Sequence, residues 1–242
     1  MKDLTINVIY TEGSNFTLPK NKVLLKQLRQ FKKLGSEIAI LINGKESQNR
    51  IPNEIWNDFI NHKFKTYISD DKFTHGAALN YLHDRCLTDW YINIDEDDEF
   101  TDIDKVKQLL ESVIYLRKNF KINPNSLIMY GFNWIYESPN TKELKSLYHP
   151  TESSCSEIPS VASMSNWNFL FNKVQLDSLN LRRYDLNLMD DTLFYIDLYH
   201  AYKGECVLYN ESIINYYKTR STISKTQLSD DAQKYLDKLQ IG

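Results

Sequence analysis

A chain of 242 residues with a formal net charge of −3 is long enough to bury one large core and carries no overall positive field, which argues against a protein that grips duplex nucleic acid. Hydrophobic residues at 42% and charged residues at 25% exclude a disordered or fibrous chain. The 16 Tyr, 11 Phe and 4 Trp are many for this length and leave rings available for binding.

Taken in chain order, residues 5–10 predict a strand, residues 20–34 a helix with Val23, Leu24, Leu28 and Phe31 on one face, and residues 37–42 a second strand. These make a βαβ unit. Residues 51–62 predict a short helix, 64–69 a third strand, 75–86 a helix and 90–94 a fourth strand. Such alternation predicts a parallel sheet with helices on its faces. The second half is less regular. Residues 103–118 place Val106, Leu109, Leu110, Val113 and Leu116 at helical spacing, and residues 126–136 predict a strand. Residues 137–166, rich in Ser, Pro, Glu and Asn, predict one long loop or hairpin lying over a site. Order resumes at 169–181, a helix follows at 190–202, and residues 205–217 supply one or two closing strands.

Cys86, Cys155 and Cys206 are odd in number, widely spaced and without paired metal-ligand spacing, and they read as reduced thiols of a cytosolic protein. The N-terminus enters a β pattern with no apolar run long enough for a signal peptide, and no segment approaches a transmembrane span. The expected location is the cytoplasm, with any membrane contact peripheral and at the inner face.

The strongest chemical signal is the fourth strand, Trp90-Tyr91-Ile92-Asn93-Ile94, running into Asp95-Glu96-Asp97-Asp98-Glu99. Five successive acids repel one another unless something positive sits among them, and a divalent cation is the simplest neutraliser. The C-terminal edge of a parallel strand is also where open α/β sheets bind ligands, and hard cations held by one or two carboxylates commonly hold a substrate's phosphates. A solvated acidic loop is the plain alternative. Asp190-Asp191 open the predicted helix at 190–202, where carboxylates serve either as caps or, facing a bound substrate, as a general base. The run from Tyr216 to Ser224 mixes aromatic, basic and hydroxyl side chains, suited to folding over a diphosphate or to remaining a solvated tail. His75-Gly76 reads as structural or as a ligand with a close backbone approach.

The order of these pieces resembles the family 2 glycosyltransferases with the GT-A fold. The family's Ala-Arg-Asn stretch precedes its acids at a typical distance, and here Ala78-Leu79-Asn80 ends fifteen residues before Asp95. The likeness runs from Thr5 to about Ser224. It implies an α/β GT-A fold: a Rossmann-like, mostly parallel central sheet flanked by helices, with a mixed C-terminal acceptor-side portion. It also implies a single domain over 1–242, in which 1–100 bind the nucleotide sugar, 101–224 form the acceptor side and 225–242 are a tail.

Residue by residue, the resemblance implies that Asp97 and Asp95 hold Mn²⁺ or Mg²⁺, with Asp95 also near the nucleotide's ribose, and that Asp98 is the acid following the Asp-x-Asp motif. Asp190-Asp191 match the family's Glu-Asp pair, so Asp191 is the expected catalytic base and Asp190 lies beside it on the acceptor side. Thr11, Glu12, Asn43 and Asn80 fall on the nucleotide side, and Lys218 and Arg220 belong to the closing segment that approaches the diphosphate. The sequence departs from the family at Leu79, where Arg is usual, at Leu82, where Gly is common, and at Ile42-Asn43-Gly44, where an acid usually meets the base.

The implied reaction is an inverting transfer from a nucleoside diphosphate sugar, a UDP-sugar by preference, to a hydroxyl of a glycan or lipid-linked glycan. Within the 137–166 segment Tyr148 and His149, with Trp167 just after, are placed to shape the acceptor site, since rings stack on sugar faces. Two other readings stay open. A metal-dependent nucleotidyltransferase or phosphohydrolase would use Asp95 and Asp97 without needing Asp191, and a silent module would bind nucleotide sugar without turnover, a reading that Leu79 keeps alive.

Overall fold

The computed structural model describes residues 1–11, 14, 19–119, 121–123, 126–138, 141–148, 169–186, 190–202 and 206–219; at 19, 20, 134, 136–138, 141–148, 190–192, 199, 218 and 219 it describes the backbone only. Four strands, β1 (Leu4–Tyr10), β2 (Glu37–Ile42), β3 (Lys65–Ile68) and β4 (Trp90–Asp95), pair in parallel in the order β3-β2-β1-β4. Parallel neighbours need crossovers, and these are α1 (Pro19–Lys33) between β1 and β2, α2 (Lys45–Arg50) with α3 (Asn53–Asn61) between β2 and β3, and α4 (His75–Arg85) between β3 and β4.

After β4 come β5 (Glu99–Phe100), α5 (Ile103–Lys118), β6 (Leu127–Ser138), β7 (Thr141–Tyr148), β8 (Phe169–Asn172), α6 (Lys173–Ser178), α7 (Asp190–Ala201) and β9 (Cys206–Thr219). The sheet runs β3-β2-β1-β4-β8-β6-β9-β5, with β7 paired to β6. β8 is antiparallel to both β4 and β6, β9 is parallel to β6, and β5 is antiparallel to β9. The expected mostly parallel first half and mixed second half are therefore both present.

All seven residues of β1 are buried, because helices cover both faces of the sheet. Leu4, Ile6, Val8 and Tyr10 join one core with Leu24, Leu28 and Phe31 of α1, Phe59 of α3 and Leu109 and Val113 of α5. The alternate residue Ile9 packs with Leu41 of β2 and Ala78, Leu79 and Leu82 of α4. A third cluster joins Phe169 and Phe171 of β8 to Phe194, Tyr195 and Leu198 of α7. No helix among the described residues is long and apolar enough to cross a membrane.

Several expectations need correction. Val23 is 39% exposed, and Leu25 takes its place beside Leu24, Leu28 and Phe31 inside, so the apolar stripe of α1 differs from the expected one at its first member. The helix expected at 51–62 begins at Asn53, and α2, which was not expected, precedes it. Ile51 separates the two with φ −70 and ψ 121, the extended conformation that Pro52 imposes on the residue before it. Gly44 starts α2 at φ 96, a conformation that a side chain disfavours. The 137–166 segment opens as a hairpin, since β7 pairs antiparallel with β6 from Phe132↔Tyr148 to Ser138↔Thr141; its continuation lies outside the described residues. The three thiols are not all reduced: Cys206 is disulfide-bonded, while Cys86 is free and buried. Spacing along a chain does not reveal which thiols the fold brings within bonding distance.

The short β5 is held from two sides. Gln27 of α1 donates from Nε2 to the Phe100 carbonyl (2.7 Å) and accepts the Phe100 N–H at Oε1 (2.9 Å), so one side chain imitates a neighbouring strand. The Phe100 ring packs edge-on against Phe31 with centroids 4.7 Å apart. Removing Gln27 strands a buried donor and acceptor, so Gln27→Ala should lower unfolding free energy by about 1 to 3 kcal/mol in urea titrations. The exposed Gln30→Ala on the same helix should cost less than about 0.5 kcal/mol, and equal losses for the two would contradict this role.

Candidate functional site

The site grows from the end of β4. Asp95 is the last residue of that strand and pairs with Ile9 of β1, after which the chain turns back, with the Asp98 N–H reaching the Asp95 carbonyl at 3.2 Å. The five acids are thus not one loop: Asp95 ends a strand, Glu99 begins another, and a tight turn lies between. Asp95, Asp97 and Asp98 each present a carboxylate oxygen, all within 4.8 Å of one another. Asp98 is fully buried, whereas Asp95 and Asp97 remain partly open to solvent.

Long-range bonds hold the turn. Asp98 Oδ1 accepts the backbone N–H of Tyr217 at 2.9 Å, a charge-assisted bond to a strand 119 residues away. Glu99 Oε1 accepts from the Tyr217 hydroxyl (2.6 Å) and from Asn215 Nδ2 (3.0 Å), and Asn133 Nδ2 donates to Asn215 Oδ1 at 2.8 Å. Thr101, just beyond β5, donates its N–H to the Ile213 carbonyl at 2.9 Å. β9 can offer these groups because it bulges against β6, where the register passes from Tyr130↔Tyr209 to Gly131↔Ser212 and then Phe132↔Ile214. On the other flank Ser14 accepts the Thr11 N–H at 2.7 Å and hydrogen-bonds Glu96, which ties the loop after β1 to the acids.

The electrostatics follow from this crowding. Burial, together with the charges of Asp98, Asp97 and Glu96, pushes the Asp95 carboxyl well above the usual carboxylate range, against the opposing influence of His75 at the start of α4. Burial pushes Glu96 up to about 7, with Asp97 adding to the shift and the bond from Ser14 opposing it. Crowding that disfavours the ionised carboxylates is crowding that a bound cation would relieve. Hard oxygen donors from three carboxylates suit Mg²⁺ or Mn²⁺, and the two partly open members, Asp95 and Asp97, leave room for ligands from a substrate.

The other expected residues sort clearly. Thr11 lies at the site beside Ser14. Asn43, at the end of β2, is buried, and its amide clasps Phe73 in both directions, Nδ2 donating to the carbonyl (3.0 Å) and Oδ1 accepting the N–H (2.8 Å). Asn80 does the same to Arg183, at 2.9 Å in each direction. Both amides, expected to face nucleotide, are engaged with backbone. Leu79 and Leu82 are buried against the sheet and belong to its core. Asp190 and Asp191 are the first residues of α7, and Lys218 follows Tyr217 on β9. Glu12, His149, Trp167 and Arg220 lie outside the described residues. Sequence reasoning missed Ser14, Gln27 and Asn215, whose contacts with Glu96, Phe100 and Glu99 lie far away along the chain.

This is a GT-A-like α/β fold. Crystal structures of S. aureus TarS share it. TarS 1-349 in complex with UDP-GlcNAc superposes with a TM-score of 0.66 at 13% identity, covering 99% of this chain and 66% of that one. The complex with UDP gives 0.61 at 15% identity, over 90% of this chain and 60% of that one. A further TarS structure gives 0.59 at 15% identity, over 90% of this chain and 37% of that one, so the present chain spans between 37% and 66% of these TarS chains. At such identities the likeness is one of fold. No protein-family model matches the sequence, and no curated protein matches it.

A carboxyl whose folded pKa is raised binds its proton more tightly in the folded chain, so its contribution to stability is present at low pH and lost as pH rises. For Glu96 that window runs from the ordinary value of 4.5 to about 7, with Asp95 acting in the same direction. In metal-free buffer the wild type should lose melting temperature across this interval relative to Glu96→Gln. Parallel pH profiles for the two proteins would contradict the crowded-carboxylate description.

Proposed function

We propose that this chain is a glycosyltransferase that uses a nucleoside diphosphate sugar, with a UDP-sugar as the favoured donor and a hydroxyl of a glycan or lipid-linked glycan as acceptor. The observation that carries the reading is the three-carboxylate cluster at the end of β4, at the centre of a GT-A-like sheet. Fold likeness to S. aureus TarS, which has been crystallised with UDP-GlcNAc and with UDP, supports the choice of donor class.

In this reading Asp95 and Asp97 are the ligands of a divalent cation, which when bound neutralises charge on the diphosphate leaving group. Asp98 and Glu99 hold the turn rigid through Tyr217, so that the two ligands keep their geometry without a ligand present. Thr11 and Ser14 border the nucleotide side. Lys218, next to Tyr217, and Arg220 beyond it supply positive charge toward the diphosphate. Asp191, in the first turn of α7, accepts the proton of the attacking hydroxyl, and attack opposite the leaving group inverts the anomeric carbon. Asp190, His149 and Trp167 belong to the acceptor side.

Two measurements test this. UDP-GlcNAc at saturating concentration should raise the melting temperature when Mn²⁺ is present and much less when it is absent, and Asp97→Asn should abolish the metal-dependent part. Asp191→Asn should keep that shift while lowering acceptor-dependent UDP release by about 10² to 10⁴-fold. Near-normal turnover in Asp191→Asn would instead favour a nucleotidyltransferase or phosphohydrolase, and donor binding without UDP release in the presence of any acceptor would favour a silent module.

A further inference from the structure

The segment 181–186 forms a bridge whose two sides are fastened differently. Toward α4 the fastening is mostly to the backbone of the segment. Asn80 Nδ2 donates to the Arg183 carbonyl, and the Arg183 N–H donates to Asn80 Oδ1, each at 2.9 Å. Gly76 N–H donates to the Leu186 carbonyl at 3.1 Å, and the Thr74 hydroxyl donates to Asp185. Toward α7 the fastening is by side chains. The guanidinium of Arg183, a buried residue, lies 4.4 Å from the centroid of the Phe194 ring, and the Tyr184 hydroxyl donates to Asp197 Oδ2 at 2.8 Å.

Each of the two helices so joined has in its first turn a residue tied to the site or proposed for it. The first residue of α4 is His75, whose charge acts on Asp95, and the second residue of α7 is Asp191. A primary amide is the one side chain that offers a donor and an acceptor side by side, which matches the C=O and N–H of a single residue. That explains Asn at position 80 without any ligand contact.

We propose that Asn80 is a positioning residue: by clasping the backbone of Arg183 it sets the height of α7, and with it Asp191, relative to the acidic turn. This rests on the glycosyltransferase reading and assigns Asn80 a role different from nucleotide contact. Its consequence is that donor binding and catalysis separate at this residue. A loss of register of about 1 Å between a general base and its substrate is enough to cost about 10²-fold in rate while leaving the donor's own contacts intact.

The test is a double-mutant cycle on the full chain, combining Asn80→Ala with Asp191→Asn and reading UDP affinity in Mn²⁺ alongside kcat for UDP release from UDP-GlcNAc. Asn80→Ala alone should lower kcat by about 10 to 100-fold with the UDP dissociation constant within about twofold. In the Asp191→Asn background the same change should lower kcat by less than about twofold, because a residue that acts through the base has nothing left to position. Should the Ala variant fail to fold, Asn80→Asp, which retains the bond from the Arg183 N–H, enters the same cycle. Equal losses in both backgrounds would overturn the proposal in favour of general loosening. UDP binding weakened by more than about tenfold would overturn it in favour of direct donor contact, and an unchanged kcat would overturn it outright. Full activity of Asp191→Asn alone is a separate outcome that removes the base assignment, and the positioning role with it.

Discussion

Like-charge repulsion among carboxylates at the end of a buried strand is the constraint around which this molecule is arranged. Three carboxylate oxygens within 4.8 Å would push the turn open if nothing restrained it. The restraint comes from outside the turn. Tyr217 gives its N–H to Asp98 and its hydroxyl to Glu99, and Gln27 grips the backbone of Phe100 from the opposite side. Burial and mutual repulsion push the Asp95 and Glu96 carboxyls upward in the same turn. The turn is therefore braced from both sides and electrostatically crowded.

The second half of the chain exists in part to supply that stiffness. β9 is parallel to β6 and antiparallel to β5, so one strand connects the centre of the second half to the acidic turn of the first. Its bulge at residues 209–214 shifts the register enough for Ile213 and Tyr217 to meet Thr101 and Asp98 at once. A similar economy appears in the amides. Asn43 and Asn80 each complete the hydrogen bonding of one remote backbone residue, Phe73 and Arg183, so loops beside the site are fixed by side chains of neighbouring regular elements.

Much of the first half was legible because parallel strands covered by helices on both faces read as β-branched runs alternating with apolar stripes of helical period. Phase and boundaries were less legible. Whether Val23 or Leu25 turns inward depends on how α1 docks, and the break at Ile51 depends on Pro52 acting on its neighbour, a local rule that the wider periodicity obscured. The backbone partners of Asn43 and Asn80 were not legible, because a side-chain amide near a ligand-binding edge does not reveal from sequence which remote backbone group it satisfies. Leu79 illustrates the reverse, an apparent gap in a polar motif that proves to be part of a packed core.

Composition, periodicity and the run of acids after Ile94 were sufficient by themselves to determine the α/β class, the parallel order of the early elements and the place where charge concentrates, because each is encoded within a few tens of residues. Tertiary structure alone decided which of those acids is buried, that Asp98 serves Tyr217, that Cys206 is disulfide-bonded, and that α4 is fastened to α7 through Arg183. These depend on groups separated by up to 119 residues, and no local pattern records a meeting that only the closing of the sheet brings about.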